Sequence, residues 1–411
     1  MEEKIVSGKE VLEGSFDTAI QRLGESFSAK GYSHRVSQDY IRVVKHFCYW
    51  HGQHEHPKEI SESTIKEFIN HFPFCTCPVS GKGGYRLCHA ALKHFLTVLR
   101  KMGLASAAFR KVLPEDEVLQ SFQKHLIQVR GITEASAALY ARHLKLFLQD
   151  IQVGGKFAFH ALTARNVESS VIAIAGRYKP ETVKLYCSSL RAFFKFLRLT
   201  GKIETPLENA VPTVPNWSLS SIPKYLTEKQ VKVFLHSFDI NTTVGLRNCS
   251  IALLMATAGL RSGEVANLKL DDIDWENSSL KIQNTKSYRV DYLPLVLEAG
   301  EALAAYLKRK PKTPTRHIFV TLATPVGRPL TASAVSIAMR RAFKRCYPNE
   351  RTRGPHVLRH TLATMMLTNG ATFKEIADVL RHRNIETTAI YAKVDIKGLN
   401  HVTLAWPEVT I

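Results

Sequence analysis

The chain is 411 residues long, with 56 Lys and Arg against 36 Asp and Glu, a formal net charge of +20, and 45% hydrophobic residues. That apolar share fills real cores and excludes a broadly disordered chain, and the length suits about two to four domains. The longest apolar stretch, Ile251 to Leu260, is far too short to span a bilayer, and no basic region followed by an apolar run opens the chain, so neither a membrane protein nor a secreted one is expected.

Seven cysteines, an odd number, fit reduced thiols in a cytoplasm. A positive excess of this size points to a polyanionic partner, with nucleic acid the commonest. The excess is spread along the chain: residues 1–115, 116–203 and 204–411 carry +4, +7 and +9. The middle segment is the densest, as suits a domain lying along phosphates.

Residues 1–115 and 116–203 read as two copies of a small helical module. Each has a helix in which a Tyr is followed seven residues later by a Phe, Tyr40 and Phe47 in one and Tyr140 and Phe147 in the other. Each then has a helix start signal, Ile60-Ser61 and Leu162-Thr163. Each ends in an aromatic, basic helix closed by glycine, His94 to Arg100 with Gly103 and Ala192 to Arg198 with Gly201. The order implies two four-helix units end to end, with their boundary near Leu113-Pro114. Residues 204–223 hold Pro206, Pro212, Pro215 and Pro223 without a sustained period and read as an extended linker.

Residues 224–411 mix types. Thr227 and Gln230 form a capping box ahead of a helix. A second helix runs from about Val244 and stops before Gly259. Ser279 to Gln283 and Val290 to Leu293 pair as strands around a turn at Thr285 to Tyr288. Helices follow near 300–309 and 331–346, then one from His356 to Asn369-Gly370, and Thr372 with Glu375 caps another. The expected fold is mainly α with a small antiparallel sheet: helical N-terminal modules ahead of an α+β domain.

Four short motifs in this last segment carry chemistry. They are Ala258-Gly-Leu-Arg261-Ser-Gly-Glu264, Thr285-Lys286, His356-Val-Leu-Arg359-His360, and Leu380-Arg-His382 with Tyr391 nine residues later. Arginine suits a phosphate because its planar fork donates to two oxygens and stays charged. Arg261 and Arg359 therefore read as a phosphate clamp, and Glu264, one helical turn after Arg261, as a carboxylate that orients a guanidinium from behind. His356, Arg359 and His360 share one helical face. Two histidines four apart are also zinc-ligand spacing, but the zincin pattern needs Glu directly after the first, where this chain has Val357.

Taken jointly, these motifs resemble the tyrosine recombinase, or phage integrase, family. The resemblance covers about 224–411, and the basic helical domain and linker ahead of it fit the family's core-binding domain. It implies a catalytic domain at 224–411 ending in an exchange tail, with a DNA phosphodiester transferred to Tyr391 as a 3′-phosphotyrosyl bond. It makes Lys286 the acid for the leaving 5′-oxygen, with Lys281 and Arg289 as competitors. His356 becomes a general base or phosphate donor, His382 a donor to a phosphate oxygen, and His360 a structural residue. Members usually have Gly before the histidine of the last motif; here Arg381 stands there, an added candidate for phosphate contact.

Because such a bond conserves the energy of the one it replaces, no metal or nucleotide cofactor is expected, and the chain lacks a GxxxxGK[ST] loop. The implied partners are double-stranded DNA carrying specific recombination sites and further copies of the chain, four on two duplexes, with accessory recombinases an open question and no membrane. The implied role is integration or excision of a mobile element in a bacterial cytoplasm, at the nucleoid. The alternatives are a topoisomerase-like enzyme that relaxes one duplex, and a non-catalytic DNA-binding regulator on the same fold.

Two further signals stay open. Asp271, Asp272 and Asp274 resemble a two-metal nuclease cluster but sit where a loop and cap are expected. Cys75, Cys77, Cys88 and His89, with His71 and His94 nearby, could hold zinc. Their spacing is not a C-x2-C pair, and free cysteines with helix-surface histidines are the simpler account. The turn-rich stretch from Pro78 to Gly84 reads as a loop that could contact DNA.

Overall fold

A computed structural model describes residues 8–53, 60–78, 84–106, 114–153, 156–157, 159–215, 223–283, 290–349, 354–382 and 384–394. The chain divides into two units, residues 108–220 and residues 1–107 together with 221–411. Three separate apolar cores lie within them.

The first core belongs to helices α1 (Gly8–Ala29), α2 (His34–Gln53), α3 (Glu62–His71) and α4 (Tyr85–Lys101). On α2 the residues Val43, Val44, Phe47 and Trp50 are buried, and on α4 Cys88, Ala91, Leu92, Phe95, Leu96 and Leu99. Both sets recur at three and four residues, so each helix turns one stripe inward. The second core belongs to α5 (Pro114–Gln128), α6 (Glu134–Asp150), α7 (Ala164–Ala175) and α8 (Pro180–Leu199), with a hairpin of β1 (Gln152–Val153) and β2 (Lys156–Phe157) between α6 and α7. On α8 the stripe is Val183, Tyr186, Cys187, Leu190, Phe193, Phe194 and Leu197.

The two modules share three of the features that the sequence pairs. Phe47 and Phe147 are fully buried, and Tyr40 and Tyr140 are partly buried against their cores. Ser61 caps α3 and Thr163 caps α7, each in a capping box. The last helices close alike: Leu104 N–H donates to Leu99 O at 2.9 Å, and Lys202 N–H to Leu197 O at 2.9 Å. These are the six-to-one bonds of a Schellman closure.

The start of the proline-rich stretch, read as an extended linker, packs onto the second module. Leu207 and Val211 are buried in the second core, with Val214 packed against it. Arg191 donates to the carbonyls of Val211 and Pro212 at 3.1 and 2.9 Å, and Arg198 pairs with buried Glu208 at 2.8 Å. Proline removes donors but leaves carbonyls; Arg191 of α8 satisfies two of them, and Arg198 neutralises the Glu208 carboxylate.

The third core gathers α9 (Glu228–His236), α10 (Thr243–Thr257), α11 (Ser262–Asn267), α12 (Leu297–Arg309), α13 (Ala332–Cys346) and the start of α14 (His356–Thr368), which α15 (Phe373–Leu380) follows. Thr227 and Gln230, and Thr372 and Glu375, form the expected capping boxes. The sheet is antiparallel, in the order β3 (Ile273–Asp274), β4 (Ser279–Gln283), β5 (Val290–Pro294), with Ser279 opposite Pro294 and Gln283 opposite Val290. Leu280 and Ile282 of β4 point inward, so Ser279, Lys281 and Gln283 face the other side. Phe234 of α9 stacks on Phe343 of α13 with ring centroids 4.0 Å apart. Among the described residues no helix is long and apolar enough to cross a membrane.

Candidate active site

The turn from α10 into α11 sets the first arginine. Ala258 caps α10, and Gly259 follows in the left-handed region at φ +58°. A Cβ on Gly259 would lie 2.8 Å from Leu380 Cδ2, so both its conformation and its neighbours require glycine. Arg261 is extended, just ahead of α11, and Glu264 sits in that helix's first turn. Glu264 Oε2 accepts from the Arg261 N–H at 2.8 Å, and Oε1 from Arg261 Nη1 at 2.7 Å. The carboxylate thus caps the helix and aims the guanidinium, as the spacing predicts.

Arg359 stands on α14, 5% exposed. Its Nη1 donates to Gly259 O at 2.6 Å and its Nη2 to Leu380 O. Two backbone carbonyls from separate turns therefore hold it. Burial first, then the positive charges of Arg261 and Arg381, push its pKa down to about 9, with Glu264 opposing. The guanidinium remains charged at neutral pH but is short of negative charge.

Arg381 corrects an expectation. It ends α15 in the left-handed conformation, φ +55°, the cap position that favours glycine. Its side chain is 4% exposed, so it is no free contact for a phosphate. Instead Nη2 donates to Glu264 Oε2 at 2.8 Å and Nη1 to Val379 O at 2.9 Å. Glu264 is therefore shared by Arg261 and Arg381. Burial alone would raise its pKa, but Arg381 and Arg261 outweigh that and keep it below the usual carboxylate value.

His382 and Tyr391 complete the group. His382 Nδ1 and Thr388 Oγ1 share a hydrogen bond at 2.7 Å, and Thr388 is fully buried. Burial, then Arg359 and Arg261, push the His382 pKa down to about 4. Tyr391 lies in a short 3-10 helix, Ala389–Val394, 2% exposed, with its ring in a small apolar cluster of Ala363, Ile376 and Leu380. Its hydroxyl shares a 2.9 Å hydrogen bond with His360 Nδ1. That is a second correction: His360, expected to be structural, touches the Tyr391 oxygen. Burial raises the Tyr391 pKa while Arg359 opposes, and burial with His356 and Arg359 lowers that of His360.

Arg261, Glu264, His356, Arg359, His360, Arg381, His382 and Tyr391 all line one open cleft of about 780 Å³. Three guanidiniums face one carboxylate there, and the histidines are held neutral by their own surroundings. The cleft is therefore built for an anion, with a hydroxyl beside it.

Residues 224–397 match the Phage integrase family, and residues 119–201 match its N-terminal SAM-like domain. A Sinorhizobium fredii (strain NBRC 101917 / NGR234) protein, "Putative integrase/recombinase y4rA", is 34% identical over 322 residues, which is 77% of this chain and 78% of that one. This chain is a tyrosine recombinase. It belongs to the enzymes that break and rejoin DNA. The solved structure of the XerH site-specific recombinase bound to its palindromic difH substrate covers 84% of this chain and 97% of that one, at TM-score 0.55 and 18% identity. A lambda integrase tetramer bound to a Holliday junction covers 72% of this chain and 88% of that one, at TM-score 0.51 and 17% identity. At such identities these two share the fold.

Other candidates in the recombinase fall away or move. Lys286, Arg289 and Tyr288 lie outside the described residues, as does the tail after 394; Gln283, at the end of β4, lines the cleft. Lys281 lines a neighbouring pocket with Asp272 and His317. Tyr292 is exposed, Tyr306 is buried against Val320, and Tyr347 donates to Gln230 O at 2.8 Å, so among the described tyrosines Tyr391 alone lines the cleft. Asp271 pairs with Arg316, Asp272 accepts from the Lys269 N–H, and Asp274 accepts from Asn277. These are the expected loop and cap bonds. Asn267, Asn384 and Thr387 also line the cleft; of these, only Thr387 had a signal in the sequence, its place just ahead of Tyr391.

Proposed function

We propose that this recombinase acts at specific DNA sites through a 3′-phosphotyrosyl intermediate on Tyr391, and that it integrates or excises a mobile element. The observation that carries the reading is one cleft holding the Tyr391 hydroxyl together with Arg261, Arg359 and His382. Tyr391 Oη attacks the scissile phosphorus, forming the new P–O bond as the P–O5′ bond breaks. The phenolic proton passes to His360 Nδ1, its partner at 2.9 Å. Lys286 gives a proton to the departing 5′-oxygen. Arg261 and Arg359 bind the non-bridging oxygens, where charge grows in the transition state. With Thr388 donating to Nδ1, His382 carries its proton on Nε2 and donates to a third position; His356, exposed at the cleft mouth, adds another donor.

DNA supplies the anion that the cleft lacks, and the +20 charge draws the duplex in. Residues 1–115 and 116–203 are two modules that grip it, ahead of the catalytic domain at 224–411. Four protomers act on two duplexes, in a cytoplasm and at the nucleoid, with other recombinases of the same element as candidate accessories. The deciding experiment uses nicked suicide duplexes carrying the ends of the host element. A protease-sensitive DNA adduct is expected from the native protein. Failure to form one on any end would overturn the reading, and relaxation of supercoiled plasmid by the monomer would favour a topoisomerase instead.

A further inference from the structure

A second cluster of chemistry-bearing side chains lies in the N-terminal module, in a core separate from that of the catalytic domain. His46 on α2, His71 at the end of α3, and Cys75 and Cys77 just after it each offer one ligand atom, all four within 4.8 Å of one another. Among the described residues no other group of three or more His, Cys, Asp or Glu converges in this way. The sequence pattern had pointed near here but at a different set. Cys88 is buried in the module's apolar core, His89 lies beside the Tyr85 ring, and His94 stacks on Tyr40 and bonds to the Tyr32 hydroxyl. None of these three joins the cluster. His46, a whole helix earlier in the chain, does.

The geometry is that of a metal site before the ligands draw in. Cys75 Sγ is 3.2 Å from His46 Nε2, and Cys77 Sγ is 3.4 Å from His71 Nε2. A tetrahedral zinc ion, at about 2.3 Å from sulfur and about 2.0 Å from nitrogen, sets its ligand atoms roughly 3.3–3.8 Å apart. These two pairs are already near that spacing, and since no pair among the four is more than 4.8 Å apart, none has to close by more than about 1.5 Å. The donor types agree as well, since two thiols and two imidazoles form a set of borderline-soft ligands with no carboxylate.

The surroundings hold the donors in place. The His46 ring is 1% exposed and packs against Phe68 and Phe72, with ring centroids 5.0 and 5.3 Å away. His71 lies against Trp50 and Phe68. His46 Nδ1 is buried without a hydrogen-bond partner, so packing sets the ring's direction and Nε2 is left aimed at Cys75. A buried imidazole with one ring nitrogen against a thiol and the other unbonded is poorly satisfied. A cation at the centre of the four would satisfy it.

We infer that His46, His71, Cys75 and Cys77 bind one structural zinc ion. Binding takes the protons off both thiols and releases them to solvent, giving a Cys2His2 site with no open position. The ion ties the segment after α3 to the middle of α2. It does so where Phe72–Phe74 forms a single 3-10 turn and Cys75 to Cys77 has no regular structure, so few backbone bonds fix that segment otherwise. Its contribution is to the folding of the module, since a site assembled from two helices and a loop does not exist in the unfolded chain.

The test uses the full-length protein, purified without a metal-affinity step. Elemental analysis is expected to find about one zinc per chain. Cys77→Ser and His71→Ala should each bring it to background, while Cys88→Ala, in the same module but outside the cluster, should retain it. Should the cluster variants fail to fold, the native chain still decides. Stripped of metal, reduced and titrated with Co²⁺, it should develop thiolate-to-cobalt charge transfer and the visible bands of a tetrahedral ion at one equivalent. A native protein that carries no zinc and gives no thiolate–cobalt absorption would overturn the inference, as would zinc retained by both Cys77→Ser and His71→Ala. None of these readings depends on DNA cleavage.

Discussion

The Arg381 guanidinium donates to Glu264 Oε2 at 2.8 Å, joining residues 117 apart in the chain. Glu264 in turn holds the backbone and guanidinium of Arg261. The consequence is a brace: the Arg381 side chain, at the left-handed end of α15, lies buried in the cleft wall and fixes Arg261, a proposed phosphate ligand, through Glu264. Arg381→Gly should relieve the left-handed backbone by roughly 1 kcal/mol but break a buried pair worth about 3 kcal/mol. The expected net loss is about 2 kcal/mol, with a tenfold or larger fall in cleavage rate as Arg261 loosens. Arg381→Ala, which keeps the strain, should lose more. Urea denaturation checks the order; a Gly variant as stable as its parent would remove the brace.

Tyr391→Phe should abolish the covalent DNA adduct and leave affinity within about twofold, because affinity is spread over many phosphates. The ring stays in its apolar cluster, and only the bond to His360 is lost. Stability should fall by no more than about 1 kcal/mol. Trapping assays on denaturing gels, alongside a thermal melt, test both halves. An adduct from the Phe variant would reassign the nucleophile.

The two arginines should separate in stability even though both are proposed to bind the phosphate. The Arg261 side chain is 36% exposed and its partner Glu264 keeps Arg381, so Arg261→Ala should fold nearly as well as its parent. Arg359→Ala leaves the Leu380 carbonyl buried without its donor and Gly259 O with only the 3.5 Å bond from Arg381 Nη2, a loss of about 1–3 kcal/mol for the first and less for the second. Each variant should slow cleavage by about 10²–10³, with little change in DNA affinity. Equal losses in rate and affinity would mark the arginines as binding contacts alone.

Much of this site was legible in the residues, and its misreadings have physical causes. Arg261 and Arg359 were legible as a phosphate clamp from their own chemistry, and His382 and Tyr391 from the family resemblance that the motif order carries; the cleft contains all four. The four helices and the separate core of each N-terminal module were legible from local signals: Tyr-to-Phe spacing, capping residues and closing glycines. Arg381 was misread because its direction follows from a left-handed cap, which reverses where a side chain points and which no periodicity reports. His360 was undervalued because its contact spans 31 residues and depends on how the 3-10 helix of Tyr391 docks. His46 was missed because nothing near it in sequence resembles a ligand pattern; the cluster closes across 29 residues to Cys75. The linker was read as extended because prolines report missing donors, while the arginine that holds its carbonyls, Arg191, lies on α8.

Acid should weaken the catalytic domain through His382. Its folded pKa is about 4 against an ordinary 6.5, so the unfolded chain takes up the proton first. The stability this contributes is complete above pH 6.5 and is lost as pH falls from there towards 4. His382→Asn keeps a polar group beside Thr388 and removes the titration. Melting temperatures of parent and variant should therefore converge as pH falls through that window. Parallel curves would show that His382 is as easily protonated folded as unfolded.

Lys286 can be tested as the acid by changing what leaves. An alkoxide is a poor leaving group and needs a proton as the P–O5′ bond breaks, whereas a thiolate leaves without one. Lys286→Ala should therefore slow cleavage of the ordinary phosphodiester by about 10²–10⁴. It should have little effect on a substrate with sulfur in place of the bridging 5′-oxygen. Arg261→Ala provides the contrast, because a donor to the non-bridging oxygens is needed whichever atom departs, so that variant should remain slow on both substrates. Lys281→Ala, at the neighbouring pocket, should behave like its parent on both. If the sulfur substrate rescues Lys281→Ala and leaves Lys286→Ala slow, the acid is Lys281; if it rescues neither lysine variant, the proton comes from another group in the cleft.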